Sequence, residues 1–134
     1  MITEKQFSIL LIDDHEIVLK GLCGLIKDHF KNADIYTSQT QKKAFFILNT
    51  NTLDIVITDL SMSDYLSEVN TPRKIKNIHT KTKVIIYSMH CESAVIQTLL
   101  SQKIDGYVTK SSGVSDIIHA IEHALQDTRF LVLP

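Results

Sequence analysis

The chain has 134 residues, a formal net charge of −1 at pH 7 and an apolar fraction of 44%, which fits one globular domain with its own hydrophobic core and argues against a broadly basic surface for nucleic acid. Its two cysteines, Cys23 and Cys91, lack the spacing of a zinc site or a disulfide scaffold. The N-terminal segment has no signal-peptide core and no apolar run that could cross a membrane, so we expect a cytoplasmic protein.

Short apolar runs alternate with helical stretches along the chain. The runs "ILLI", "IVI" and "VII" are continuously apolar, which is typical of parallel strands covered by helices on both faces. The right-handed crossover rule then favours a doubly wound (βα)5 α/β fold with a five-stranded parallel sheet. In chain order, we predict strands at 7–12, 35–37, 54–58, 83–88 and 106–109, and helices at 16–30, 39–48, from about 72, 93–102 and 115–126.

Polar side chains stand where the predicted strands end. Asp13 and Asp14 follow the first strand, and Asp59 follows the third. Ser88 ends the fourth strand, and Lys110 follows the fifth. Ligands of a doubly wound sheet bind outside the carboxyl ends of its strands. We therefore expect three carboxylates, a hydroxyl and an amine to converge on one site.

This set of groups favours phosphoryl chemistry. Clustered carboxylates repel one another and raise one another's pKa, and a hard cation such as Mg²⁺ relieves the repulsion. Phosphoryl transfer depends mostly on positioning and charge neutralisation, and a carboxylate can be the nucleophile. Lys110 and Ser88 would then hold phosphoryl oxygens on the side away from the metal.

The motifs "LIDDHEIV", "DIVITDLSM", "VIIYSMH" and "GYVTK" carry these residues, and through them the chain resembles the receiver domain of bacterial two-component response regulators. The stretches "DDHEIVLKGL", "SMHCE" and "DGYVTK" are most similar to the LuxR/NarL/FixJ-like subfamily. The resemblance implies a flavodoxin/CheY-like strand order of 2-1-3-4-5 and a receiver domain over 1–127. The tail 128–134 is then either a packed terminal arm or the start of a linker to a helix-turn-helix output domain absent from this chain.

The resemblance also implies a magnesium site and a phosphoacceptor. Asp59 would accept the phosphoryl group. The metal would be held by Asp59, by Asp14 directly, by Asp13 mainly through water, and by the backbone carbonyl of Ser61.

A switch is implied as well. Ser88 would bind the phosphoryl group and move on activation, Lys110 would pair with Asp59 or its phosphate, and Tyr107 would turn inward when Ser88 moves. The phosphoryl donor would be a sensor histidine kinase or a phosphotransfer protein. Activation would change the surface of the fourth helix, fifth strand and fifth helix, or that of the first and fifth helices, and would promote a homodimer. The output would be transcription regulation, with no contact to nucleic acid or membrane by this domain itself.

Three places depart from the family pattern. Ser63 and Asp64 stand where Pro-Gly is common, and the pair 103–104, Lys-Ile, replaces Gly-Ala before the fifth strand. We expect Lys103 to adopt a strained conformation or to end its helix differently. Ser111 replaces a proline, so we expect a trans peptide bond before it. These changes leave open an atypical receiver that acts as a protein-binding module without phosphorylation.

Other interpretations fit less well. A magnesium-dependent phosphohydrolase would be an enzyme, but such enzymes carry an Asp-x-Asp pair after the first strand, whereas Asp13 and Asp14 are adjacent; we therefore expect a switch and no enzyme. The two acids would alternatively do no more than begin a helix. His119 and His123 have metal-ligand spacing on a helix, although a solvated helix face explains them better.

Overall fold

The computed structural model describes residues 6–60, 69–89, 92–111 and 113–132. Helices and strands alternate along these residues, as the sequence predicts. The strands are β1 (Phe7–Ile12), β2 (Ala33–Ser38), β3 (Ile55–Thr58), β4 (Lys83–Ser88), β5 (Gly106–Thr109) and β6 (Phe130–Leu131). The helices are α1 (Glu16–His29), α2 (Gln41–Thr50), α3 (Thr71–Ile78), α4 (Ser93–Ser101) and α5 (Ser115–Leu125).

The strands form one parallel sheet in the order β2-β1-β3-β4-β5-β6. The predicted order 2-1-3-4-5 is confirmed for the first five strands. Residue pairs Ile12–Thr58 and Ser88–Thr109 lie side by side near the carboxyl ends of their strands. The register therefore aligns the ends of β1 with β3 and of β4 with β5 at one edge.

The sixth strand was not predicted, because a two-residue strand shows no periodicity. The N–H of Phe130 donates to the carbonyl of Asp105 at 3.1 Å, and that of Val132 donates to the carbonyl of Tyr107 at 2.7 Å. The Phe130 ring stacks on His123 with 5.2 Å between ring centroids. Residues 130–132 of the tail therefore pair with the outer edge of β5.

Two apolar clusters cover the two faces of the sheet. Alternate residues of β1 belong to different clusters, since successive side chains of a strand point to opposite faces. Ile9 packs with residues of α1 and α5, whereas Leu10 packs with residues of α2, α3 and α4. All three central strands are buried along their apolar runs, as the sequence predicts.

Helix α2 begins later than predicted because of its cap. The side chain of Thr40 accepts a hydrogen bond from the N–H of Lys43 at 3.1 Å, which fixes the helix start at Gln41. Among the described residues, no helix is both long and apolar enough to span a membrane.

The junction between α4 and β5 departs from regular geometry at Lys103, which has a φ of +60°. This left-handed conformation is the strained helix end predicted for that position. Ile104 next to it is fully buried, in the cluster that contains Leu99 and Tyr107.

Replacing Lys103 by glycine should stabilise the fold. The left-handed conformation costs a residue with a Cβ roughly 1–2 kcal/mol, and glycine avoids this cost. Part of the gain in stability is lost because glycine has more conformational entropy in the unfolded chain. We expect the Lys103→Gly variant to be about 0.5–1 kcal/mol more stable in urea unfolding. Lys74 is exposed inside α3. The control variant Lys74→Gly should therefore be destabilised by about the same amount. A loss of stability in both variants would contradict this account of the junction.

Candidate functional site

Asp13 and Asp59 lie close together because β1 and β3 are neighbours in the sheet. The N–H of Asp59 donates to the carbonyl of Ile12 at 2.9 Å, and the N–H of Asp13 donates to the carbonyl of Ser38 at 3.1 Å. Asp13 and Asp59 are each 1% exposed. The backbone of three adjacent strands therefore fixes both carboxyl groups at the carboxyl edge of the sheet.

The hydroxyl and the amine reach the same edge from β4 and β5. The N–H of Lys110 donates to the carbonyl of Ser88 at 2.9 Å, which continues the ladder between the two strands. Ser88 is fully buried. The Nζ atom of Lys110 lies 5.5 Å from the centroid of the Tyr87 ring, within the range of a cation–π contact.

A partly buried ammonium joins the two carboxylates. The Nζ atom of Lys110 lies 2.9 Å from Oδ2 of Asp13 and 3.0 Å from Oδ2 of Asp59. Its side chain is 12% exposed, and those of the two acids are 2% and 1% exposed. This triad links residues from three different strand ends.

His15 completes the arrangement on the solvent side. Its Nδ1 atom lies 2.9 Å from Oδ1 of Asp13 and 2.9 Å from Oδ1 of Asp14. Its backbone N–H also donates to Oδ1 of Asp13 at 2.9 Å, and it is the residue that caps α1. Sequence reasoning gave His15 no place in the site; its position directly after the acid pair was the one signal for it. Asp13 thus helps to begin the helix, but its second oxygen contacts Lys110.

These contacts shift the ionisation of the site. Burial alone raises the pKa of Asp13, but the hydrogen bonds from Lys110 and His15 outweigh it and hold the pKa below its usual value. Burial lowers the pKa of Lys110, yet the hydrogen bonds with Asp13 and Asp59 raise it above the usual value. The hydrogen bond with Asp13 and the charge of Asp14 raise the pKa of His15. Asp13 and Lys110 are therefore both charged at neutral pH.

The acidic groups and His15 also form a cluster that suits a cation. Ligand atoms of Asp13, Asp14, His15 and Asp59 all lie within 4.8 Å of one another. Three of these four groups are carboxyl groups. Carboxylate oxygens are the ligands that hard divalent cations prefer. The donor set therefore fits Mg²⁺.

The remaining predicted site residues lie in different surroundings. Tyr107 is 1% exposed and packs in the cluster on the α4 side of the sheet. The peptide bond between Lys110 and Ser111 is trans, as predicted. Ser61 lies outside the described residues, as do Ser63 and Asp64.

Comparison with known proteins identifies the same kind of domain. The family described as response regulator receiver domain matches residues 9–122. The chain is 24% identical over 126 residues to the response regulator UvrY of Escherichia coli K12, which covers 94% of this chain and 57% of UvrY. The chain thus spans little more than half the length of that relative.

Solved structures agree on the fold. The isolated REC domain of RcsB from Salmonella enterica serovar Typhimurium, determined in the presence of the phosphomimetic BeF3−, superposes with a TM-score of 0.84 at 20% identity, over 96% of this chain and 94% of that one. A LuxR-family two-component response regulator from Aurantimonas sp. SI85-9A1 gives a TM-score of 0.82 at 28% identity, over 94% and 89% of the two chains. The family match covers most of the chain, the fold is shared, and the chain belongs to the response regulator receiver domain family.

Proposed function

We propose that this receiver domain accepts a phosphoryl group on Asp59 and that the modification switches its surface. The observation that carries the proposal is the contact of one partly buried ammonium, that of Lys110, with both Asp13 and Asp59, at 2.9 and 3.0 Å. Such a fixed positive charge beside a buried carboxylate is suited to binding a phosphoryl oxygen.

The transfer itself is a displacement at phosphorus. An oxygen of the Asp59 carboxylate attacks the phosphorus of a phosphohistidine, an O–P bond forms, the N–P bond breaks, and the imidazole leaves with the electron pair. Lys110 faces the oxygens of the arriving group, and its raised pKa keeps it charged. The Ser88 hydroxyl then donates to a phosphoryl oxygen, and Tyr107 follows the movement of Ser88.

The metal site proposed for this step consists of Asp13, Asp14 and Asp59, together with the backbone carbonyl of Ser61. Bound there, Mg²⁺ supplies positive charge that offsets the charge of the phosphoryl oxygens. The cluster of carboxylate ligand atoms within 4.8 Å of one another supports this assignment. The carboxylates of Asp13 and Asp59 stay fixed by their contacts with Lys110.

Replacing Asp14 by asparagine should weaken Mg²⁺ binding. The change removes a charged ligand that Lys110 does not contact, so we expect a loss of roughly tenfold or more in affinity, measured by calorimetric titration. Asp28 lies in the last turn of α1, so the control variant Asp28→Asn should bind Mg²⁺ as the wild type does. Equal affinity of Asp14→Asn and wild type would contradict the metal assignment.

The partners follow from the same proposal. The donor is a sensor histidine kinase or a phosphotransfer protein, and phosphorylation favours a homodimer through α4, β5 and α5 or through α1 and α5. Transcription regulation would be exerted by a DNA-binding domain outside this chain, in keeping with the greater length of UvrY. The domain acts as a cytoplasmic switch that turns over no small-molecule substrate.

Incubation with acetyl phosphate and Mg²⁺, followed by intact-mass measurement, tests the proposal. A mass gain that depends on Asp59 supports it. Without such a gain, and with equal partner affinity of wild type and Asp59→Asn, the domain would be the phosphorylation-independent binding module that the changes at 103–104 leave open.

A further inference from the structure

Helix α4 is held at its C-terminal end by a buried side chain, Gln102. This residue caps the helix and is 7% exposed. Its Oε1 accepts the backbone N–H of Arg73 at 2.9 Å. Its Nε2 donates to the carbonyl of Val69 at 2.7 Å and to that of Thr98 at 3.3 Å. One amide therefore connects α4 to the backbone at the start of α3.

The contact with Arg73 gives α3 a cap supplied from another helix. The first N–H groups of a helix lack partners within it and need an outside acceptor. Asn70, the residue at the cap position of α3, makes no side-chain cap bond in the described part of the chain. Pro72 has no N–H, and the N–H of Arg73 is satisfied by Gln102. Gln102 thus takes the place of a local cap.

The rest of α4 is held by apolar packing. Of its nine residues, Ile96 and Leu99 are buried, and Val95 and Leu100 pack partly buried against the same cluster. Glu92, which caps its N-terminal end, makes no side-chain cap bond to the described residues. Immediately after Gln102, Lys103 is in the left-handed region. The amide of Gln102 therefore supplies side-chain hydrogen bonds that hold the C-terminal end of α4 to α3.

Along the chain, helix α4 comes between two residues of the proposed switch. Helix α4 leads from β4, which ends at Ser88, into β5, which contains Tyr107. Gln102 holds the C-terminal end of this helix to the start of α3.

We propose that Gln102 is a positioning residue that couples the start of α3 to the C-terminal end of α4, so that the response of α4 to phosphorylation depends on this contact. The inference rests on the proposed function for the identity of the signal. The contact between α3 and α4 itself does not depend on it. It is particular to a glutamine, because Val69 offers a carbonyl and Arg73 an N–H, and a primary amide matches both.

Amide hydrogen exchange tests this coupling in the whole chain, with and without beryllofluoride and Mg²⁺. The Gln102→Met variant keeps the length of the side chain and removes all three hydrogen bonds. We expect exchange of the Arg73 N–H to rise about tenfold or more without ligand. We also expect the change that beryllofluoride causes over α4 to fall about threefold or more, while the changes at Asp59 and Lys110 persist.

Two further variants separate coupling from simple loss of stability. Thr98→Val removes a hydroxyl that bonds only within α4, to the carbonyl of Ala94, and should leave the response of α4 unchanged. Gln102→Glu keeps the acceptor for Arg73 and loses the donor to Val69, so it should protect the Arg73 N–H while reducing the response of α4. It also provides the test if the methionine variant does not fold.

The outcomes are distinct. A response of α4 equal to wild type in Gln102→Met and in Gln102→Glu would overturn the coupling and leave the proposed function standing. A wild-type protein that shows no response to beryllofluoride anywhere would overturn the proposed function and the phosphorylation coupling together, even if the Arg73 N–H became exposed in the variant.

Discussion

An Asp59→Asn variant incubated with acetyl phosphate and Mg²⁺ is expected to gain no phosphoryl group, whereas the wild-type chain gains one. The substitution replaces the carboxylate by an amide of the same shape, so the nucleophile is lost with little change in packing. Asp59 is 1% exposed, and its carboxyl group contacts Lys110 at 3.0 Å. Intact-mass measurement of both proteins gives the answer.

Asp54 provides the matched control for that experiment. It precedes β3, whereas Asp59 follows it, so the two acids lie at opposite ends of one strand. Its carboxylate accepts the N–H of Ser8 at 2.8 Å and lies far from the cluster that contains Lys110. Asp54→Asn should be phosphorylated as the wild type is. A phosphoryl gain that persists in Asp59→Asn would show that another residue is the acceptor.

Lys110→Met is expected to have the largest effect on stability. It removes the ammonium that lies within 3.0 Å of both Asp13 and Asp59, and leaves two carboxylates with side chains 2% and 1% exposed. Breaking a buried ion pair by removing one partner costs about 3–5 kcal/mol. We expect a loss of that size in the free energy of unfolding, measured with urea at pH 7 in the absence of divalent cations.

The loss should depend on pH in a definite direction. The lowered pKa of Asp13 contributes stability above the ordinary value of 3.8, and this contribution is lost as the pH falls through the lowered folded-state pKa. The Lys110→Met variant lacks the hydrogen bond that contributes most to lowering the pKa of Asp13. The difference between wild type and Lys110→Met should therefore be greatest near neutral pH and should shrink as the pH falls below about 4.

A variant at Lys83 and the addition of Mg²⁺ serve as controls for the stability loss expected in Lys110→Met. The Lys83 side chain pairs with Asp127, which is 82% exposed, at 3.0 Å, so Lys83→Met should cost less than about 1 kcal/mol. Mg²⁺ should stabilise Lys110→Met at least as much as it stabilises the wild type, because the cation relieves the same repulsion. Equal stability of Lys110→Met and Lys83→Met would contradict the role given to the Lys110 ammonium.

The ends of the strands were predictable because they obey two simple rules. Continuously apolar runs locate buried parallel strands, and parallel strands bring their carboxyl ends to one edge. These rules locate β1, β4 and β5 to the residue and predict that Asp13 lies beside Asp59. The strained conformation of Lys103 followed from its place at a helix end.

Other features depend on tertiary contacts that no local pattern carries. Strand β6 is two residues long and exists because it pairs with β5. His15 joins the site through its contacts with Asp13 and Asp14, and the sequence shows only that it follows them. Gln102 caps a helix that begins 31 residues before it, a contact that becomes visible only once α3 and α4 are packed together. Long-range side-chain contacts of this kind escape sequence reasoning.

In the proposed function, binding at Asp59 needs the metal and changes β4 and β5. A backbone amide NMR titration of the wild type and Asp59→Asn with beryllofluoride, with and without Mg²⁺, tests this most directly. We expect shifts of the Asp59, Ser88, Tyr107 and Lys110 amides that require Mg²⁺ in the wild type and are absent in Asp59→Asn. Shifts that occur without Mg²⁺, that persist in Asp59→Asn, or that spare these amides would contradict the proposed function.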